Sequence, residues 1–293
     1  MGISTLQIGL IASLEGFIRN KDVLSISVQF PQSFTQIERL SKYFPKLLNK
    51  NNLYKIKHST NSSFQNILFN EILECKKIDS LDITNEEGAN ITWNMNDDIS
   101  LGGFSNLKSM YDIIFEGGTM EHVSNTNMYL KNIFYLLKPG GKYISQVPSA
   151  GLAEHGFYQF SPTFIIDLAN KNKEMMEILH LSLDSQKSHF NRSDIRGLVF
   201  NDFYKDTNFT FPPNNIIENS EKFYKDKFCK SSIATGTLIN LINQSGNPML
   251  LTYIIKKKIE KEINFNFEQY IYRNFKIEDI VGVFTADEIV GAD

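Results

Sequence analysis

The chain has 293 residues, 42% hydrophobic and 12% aromatic, so it can bury a sizeable core and falls between one elaborated domain and two. Its formal net charge is -3, from 33 acidic against 30 basic side chains with no long basic stripe, which argues against electrostatic capture of nucleic acid. Two cysteines, Cys75 and Cys229, supply neither a disulfide framework nor a zinc-site spacing, and a reducing, cytoplasmic setting is expected.

The first twenty residues carry an apolar patch, but Glu15 interrupts it and no basic leader precedes it. It reads neither as a signal peptide nor as a membrane span. Helices are expected over 6–19 and 34–48, the second entered through Pro31 and Ser33. Between them, 23–30 alternates as VLSISVQF, a short strand read as a lid element or an edge addition to the main sheet. Residues 1–50 are accordingly assigned to an N-terminal cap segment.

The sheet proper is expected to start at 53–56, followed by a loop, His58 to Ser63, and a helix over 64–73 with Phe64, Ile67, Leu68 and Ile72 at helical spacing. Strands follow at 78–83 and 90–93. The next strand, 111–115, is nearly all apolar or aromatic, as a strand covered by helices on both faces should be. It stops at Glu116, Gly117 and Gly118, an acid and two glycines placed to meet a ligand closely at a strand's carboxyl end. A helical stripe of Met128, Leu130, Ile133, Phe134 and Leu137 then ends at Lys138, Pro139, Gly140 and Gly141.

A strand returns over 142–147, and a helix over 161–170 is entered by Ser161 and Pro162. Later strands are expected at 176–183 and 249–255, separated by a long polar and aromatic insertion, about 184–247. The run Lys256, Lys257, Lys258 reads as a solvated strand end. The main domain is thus set at 51–258, with a C-terminal extension over 259–293, and no internal repeat is present.

The pattern D-I-I-x-E-G-G-T-x-E-H-V at 112–123, then L-L-K-P-G-G at 136–141, V-P-S at 147–149 and H-G-F-Y-Q-F-S-P at 155–162 resembles class I S-adenosylmethionine-dependent methyltransferases. With S-L-D-x-x-x-x-E-G-A at 80–89, it is similar to a bacterial branch of that family, over roughly 53–171. The resemblance implies an α/β fold, a Rossmann-like doubly wound and mostly parallel sheet with helices on both faces. It also implies a methyltransferase that takes S-adenosyl-L-methionine as cofactor and methylates a hydroxyl or carboxyl of a small molecule or sugar. No nucleic-acid or membrane partner is expected, and a homodimer stays open.

The family cradles the methionine end of the cofactor with a glycine-rich loop after the first strand, whereas this chain has no glycine between Gly16 and Gly88. Ser59 and Asn61 are the candidates there, at a helix N-terminus that attracts an anion whatever its loop composition. Asp82, at the end of the second strand, is placed to accept hydrogen bonds from ribose hydroxyls. Asn94 stands where the resemblance sets an adenine-binding amide or carboxylate, and Glu116, Gly117 and Gly118 complete the cofactor edge. Trp93 reads as core or as an adenine platform.

The catalytic candidates are Glu121, His122 and His155. Either histidine can act as base toward an acceptor proton, and His122 can equally serve as a helix-start residue that orients the turn. The three residues also carry ligand types that suit several divalent ions, but their spacing matches no defined motif and no metal is expected. The missing glycine loop leaves a second reading, a non-catalytic methyltransferase-like binding or scaffold protein. A changed cofactor, nucleotide-sugar or nicotinamide, has no G-x-G-x-x-G signature to support it.

Overall fold

The computed structural model describes residues 18–31, 45–185, 197–199 and 249–267, with isolated positions among 2–41. The expected helices over 6–19 and 34–48, most of the insertion with its polar group His189, Asn191, Arg192 and Asp194, and the extension beyond 267 lie largely outside the described residues. Among the described residues, no helix is long and apolar enough to cross a membrane.

One eight-stranded sheet organises the described chain. Its strands are β1 (Asp22–Ile26), β2 (Lys77–Asp82), β3 (Ile91–Thr92), β4 (Tyr111–Gly117), β5 (Leu137–Ala150), β6 (Met176–Ser185), β7 (Gly197–Val199) and β8 (Met249–Lys257). The spatial order is β3-β2-β1-β4-β5-β8-β6-β7. The first five strands pair in parallel, while β8 runs antiparallel between β5 and β6, and β7 pairs antiparallel with β6. The chain therefore winds outward from β1 in one direction to β3, then crosses back to β4 and winds the other way. That is the doubly wound, mostly parallel arrangement expected from the sequence, with its topological switch point between β1 and β4.

The helices are α1 (Lys50–Lys57), α2 (Asn61–Asn66), α3 (Thr126–Leu136) and α4 (Pro162–Lys171), with α2 running on as a π-helical turn, Ile67–Ile72. They cover both faces. On one side α3 and α4 bury Tyr129, Leu130, Ile133, Ile165 and Leu168 against Leu24, Leu81 and Ile114. On the other, Ile56, Phe64, Leu68 and Phe69 pack against Val23, Ile113 and Phe115. Alternate residues of β4 thus feed opposite cores, which explains its unbroken apolar run. Burying each of these side chains contributes about 1.5–3 kcal/mol.

The first strand differs from expectation. Residues 53–56 lie inside α1, whose N-cap Asn49 accepts from the backbone N of Asn52 and whose sole buried residue is Ile56. The central strand is instead β1, which the alternation VLSISVQF had suggested was peripheral, so the sheet begins well before residue 50. The alternation misleads because Ser25 is fully buried: its hydroxyl donates to the carbonyl of Ser27, so a polar residue can stand in the middle of the sheet without an unmet hydrogen bond.

The lysine run at the end of β8 also differs. Lys258 is exposed and Lys256 half-exposed, but Lys257 is buried, and its ammonium donates to the carbonyls of Phe134 and Leu137 and to Glu260. It satisfies carbonyls at the C-terminal end of α3, where a cation also meets the helix dipole favourably. At the same edge, where the parallel strands begin, Lys138 lies 3.1 Å from Asp22 and 2.9 Å from Asp112, and Lys76 also pairs with Asp22. Burial raises the Asp22 pKa, but hydrogen bonds and charge attraction from the two lysines outweigh it and leave the carboxyl below its ordinary value.

Replacing Lys257 with Met is expected to lower the unfolding free energy by about 1.5–3 kcal/mol, read as a lower urea midpoint, because charge-assisted bonds to two carbonyls are lost. Since the folded-state pKa of Asp22 is depressed, its stabilising contribution is present above its unfolded value and disappears as pH falls through the folded one. Urea midpoints should therefore drop below about pH 4, and Lys138→Met should make that drop shallower.

Candidate active site

In a doubly wound sheet ligands bind beyond the carboxyl ends of the strands at the switch point. Here that edge is built from the segments that follow β1, β2, β3, β4 and β5. After β1 comes Ser27, with φ of 65°, whose backbone N donates to the Leu81 carbonyl and whose hydroxyl donates to Asp82 at 2.6 Å. Gln29 follows, fully buried; its backbone N donates to Gln65, its amide N to the Ile26 carbonyl, and its amide oxygen has no partner among the described residues. Neither Ser27 nor Gln29 was singled out by the sequence, because β1 was not recognised as the central strand. The signal present was the apolar set Val23, Leu24, Ile26 and Val28 ahead of Pro31.

Asp82 closes β2, as expected for a residue at the ligand edge. One carboxylate oxygen accepts from Ser27 and the other from the backbone N of Ile83. Asn94 follows β3 and accepts from the backbone and side-chain nitrogens of Asn96, forming a local turn. Trp93 is half-buried; its indole donates to the Asp97 carbonyl and its ring stands edge-on to Phe104 at 5.5 Å. A Cβ on Gly102 would come within 2.4 Å of that ring, so the indole is wedged into the loop that carries it. Ser59 donates to the Ile56 carbonyl at the end of α1. Asn61 begins α2, whose N-cap Thr60 forms a reciprocal capping box with Ser63. Ser59 therefore lies between two helices and Asn61 at the start of the second, rather than directly after a strand.

Glu116, at the end of β4, is fully buried. Its carboxylate accepts from the backbone N of Thr119 and Met120, the hydroxyls of Tyr129 and Tyr143, and Ser145. A buried carboxylate is tolerated because donors replace its lost hydration, and five do so here. The Glu116 side chain thus holds the turn, while the backbone of Gly117 and Gly118 forms the edge itself. Gly118 has φ of 91°, a left-handed conformation that glycine adopts without strain.

The next turn, Met120–His122, carries Glu121 and His122 and meets the third catalytic candidate, His155, which comes from the segment after β5. The Glu121 carboxylate lies 3.9 Å from Nε2 of His122 and 3.6 Å from Nε2 of His155, and the two rings meet edge-on at 5.2 Å. His155 is held by its neighbours: the backbone N of Phe157 donates to the Glu121 carbonyl at 2.8 Å, and the Tyr158 hydroxyl donates to the Ser124 carbonyl at 2.7 Å. Gly156 makes this approach feasible, since a Cβ there would sit 2.8 Å from Cγ of Glu121.

Glu121 is fully buried, and neither carboxylate oxygen has a hydrogen-bond partner among the described residues. Burial, reinforced by the Glu116 charge, pushes its pKa up to about 8. Both histidines are exposed. Burial of part of the ring and the neighbouring His155 hold His122 below its ordinary pKa, so it stands as a neutral imidazole. Cys75, by contrast, is no nucleophile, because burial pushes its thiol up to about 11.

No family model and no curated protein sequence matches the chain. Among solved structures it is similar to phosphoethanolamine N-methyltransferase 2 of Haemonchus contortus in complex with S-adenosyl-L-methionine, at 12% identity and a TM-score of 0.38, covering 85% of this chain and 52% of that one. A second is the O-methyltransferase of a trans-AT PKS multienzyme of Brevibacillus brevis in complex with S-adenosyl-L-homocysteine, at 14% identity and a TM-score of 0.37, covering 86% and 72%. A third is 1,6-didemethyltoxoflavin-N1-methyltransferase of Burkholderia thailandensis, at 12% identity and 0.36, covering 86% and 79%. The chain spans about half the length of the first of these. At such identities and scores, activity has to be argued from the residues at the edge.

Replacing Glu116 with Gln would place an amide nitrogen among donors and remove the charge they serve. The expected loss is at least about 1.5–3 kcal/mol of unfolding free energy, measured by urea denaturation.

Proposed function

We propose that the chain is an S-adenosylmethionine-dependent methyltransferase that methylates a hydroxyl or carboxyl of a small molecule or sugar. One observation carries this reading: a strand-end carboxylate, a two-glycine turn and a Glu-His-His cluster share one carboxyl edge around the switch point. The edge also suits the cofactor's chemistry. A carboxylate offers about four lone-pair positions, and the described donors to Asp82 are a hydroxyl and one backbone N, leaving capacity for ribose hydroxyls. The amide oxygen of Gln29 is a buried acceptor in want of a donor, which the ammonium of a methionine moiety would provide.

The cofactor, when bound, supplies a methyl group on a positively charged sulfur that departs as a neutral thioether. Asp82 binds the ribose, Asn94 offers an amide to the adenine, and Gly117 and Gly118 let the backbone approach closely. Ser59 and Asn61 flank the start of α2, the end assigned to the carboxylate. The chain's main contribution is to hold acceptor and methyl in line. As the acceptor oxygen forms its bond to the methyl carbon, the Glu121, His122 and His155 cluster receives the proton it gives up, with neutral His122 as the base.

A second reading, a binding protein that has lost the cofactor, is favoured by the loop after β1. It contains no glycine, and its Ser27 already bonds to Asp82.

Calorimetric titration with S-adenosylmethionine and S-adenosylhomocysteine separates the two readings. Micromolar binding, weakened at least about tenfold in Asp82→Ala, is the result expected of the methyltransferase; tenfold corresponds to about 1.4 kcal/mol. Unchanged affinity in a folded Asp82→Ala chain would remove Asp82 from the site. No binding of either compound to a well-folded chain would favour the binding protein.

A further inference from the structure

We propose that Glu121, His122 and His155 together bind one divalent transition-metal ion. Three independent features of the structure converge on this site. The first is geometry. The Glu121 oxygen lies 3.6 and 3.9 Å from the two imidazole Nε2 atoms, and one ligand atom from each residue falls within 4.8 Å of the others. Ligands held at the ordinary 2.0–2.2 Å from a tetrahedral ion stand about 3.4 Å apart. Small rotations of two exposed imidazoles suffice to bring this set to that spacing.

The second is the state of Glu121. It is 0% exposed, and both its carboxylate oxygens lack a hydrogen-bond partner among the described residues. Buried carboxylates are normally paired, hydrogen-bonded or bound to a metal. Glu116, five residues earlier, shows how this fold satisfies a buried acid with protein donors. Glu121 receives none of them among the described residues, and two imidazole nitrogens, a common type of metal ligand, stand 3.6 and 3.9 Å from its carboxylate.

The third is the backbone around it. A Cβ on Gly118 would come within 2.9 Å of the Glu121 carboxylate, and one on Gly156 within 2.8 Å of its Cγ. Two glycines from different segments close over the side chain and hold the carboxylate beside the histidine pair. Phe157 and Tyr158 clamp the segment that delivers His155.

Two imidazoles with one carboxylate suit Zn²⁺, Fe²⁺, Co²⁺ or Mn²⁺ better than Mg²⁺ or Ca²⁺, which prefer all-oxygen sets. The three ligands leave further coordination positions, and the exposure of both histidines puts those positions on the solvent side. Use of the ion in methyl transfer rests on the function proposed above. An acceptor oxygen bound at an open position becomes more acidic and releases its proton to water, and the resulting oxyanion forms the bond to the methyl carbon while the carbon–sulfur bond breaks. With the ion bound, the imidazoles act as ligands, so the ion's activation of the acceptor replaces His122 as base.

The test uses the full chain, stripped with EDTA and titrated with MnCl₂ and with ZnCl₂, with metal content read by mass spectrometry and Mn²⁺ also by electron paramagnetic resonance. One ion per chain is expected. Glu121→Gln, which keeps the side-chain volume, and His155→Ala should each weaken binding at least about 100-fold, since even outer partners of metal ligands are worth 10–100-fold. Substoichiometric metal in a folded chain, or binding that survives both substitutions, overturns the proposal. Titration with S-adenosylhomocysteine on the same stripped sample reports on the cofactor edge alone. A chain that binds S-adenosylhomocysteine but takes up no added metal would refute the metal site and leave the methyltransferase reading intact; one that takes up metal but does not bind S-adenosylhomocysteine would do the reverse.

Discussion

The carboxyl edge of this sheet depends on one buried negative charge. Glu116 sits at the end of β4 with five donors around it: two backbone amides of the following turn, a tyrosine of α3, and a tyrosine and a serine of β5. Removing a carboxylate from water is expensive, and the expense is met only when every donor is in place. The charge therefore dictates where the turn, the helix and the neighbouring strand stand relative to one another. A less demanding group at position 116 would leave the Met120–His122 turn without its anchor.

That anchor also explains the unusual condition of Glu121. The amides of Thr119 and Met120 at the start of the turn are committed to Glu116, whose charge in turn opposes ionisation of the second acid. Of these two buried carboxylates, five donors surround Glu116 and none among the described residues reaches Glu121. Different environments of this kind are how a fold separates a structural acid from one available for chemistry. The histidines stand on the available one, and His155 arrives there from the segment after β5, held by backbone contact with Glu121 itself.

The site lies where the winding of the sheet reverses. Between β1 and β4 the crossover helices diverge to opposite faces, so the loops that follow these strands part and expose backbone at the edge. Ser27 and Gln29 on one side and Gly117 and Gly118 on the other are placed by that reversal, and Asp82 is drawn in by the Ser27 hydroxyl. The loop after β1 solves without glycine a problem that glycine would solve more simply: Ser27 takes the left-handed conformation and spends its side chain on Asp82.

Much of this was legible in the sequence wherever local pattern and tertiary role agreed. The apolar run of β4, the stripe of α3 and the Ser161-Pro162 helix start are each set by nearest-neighbour chemistry, and their order is that of a doubly wound sheet. The proline-glycine stretch 138–141, expected as a turn before a strand at 142–147, lies instead inside β5, as an irregularity where the register with β4 shifts. The strand-end acid Asp82 and the trio Glu121, His122 and His155 were legible as residue types at element ends. What the sequence could not supply was which strand is central, because a serine buried by a hydrogen bond to its own loop looks like a serine facing water, and a helix as polar as α1 shows one buried residue only. Nor could it show that Glu116 is consumed by the core, that Lys257 closes the end of α3, or that Glu121 lacks donors among the described residues. Those facts depend on partners up to 123 residues away in the chain, brought together only when the sheet is assembled.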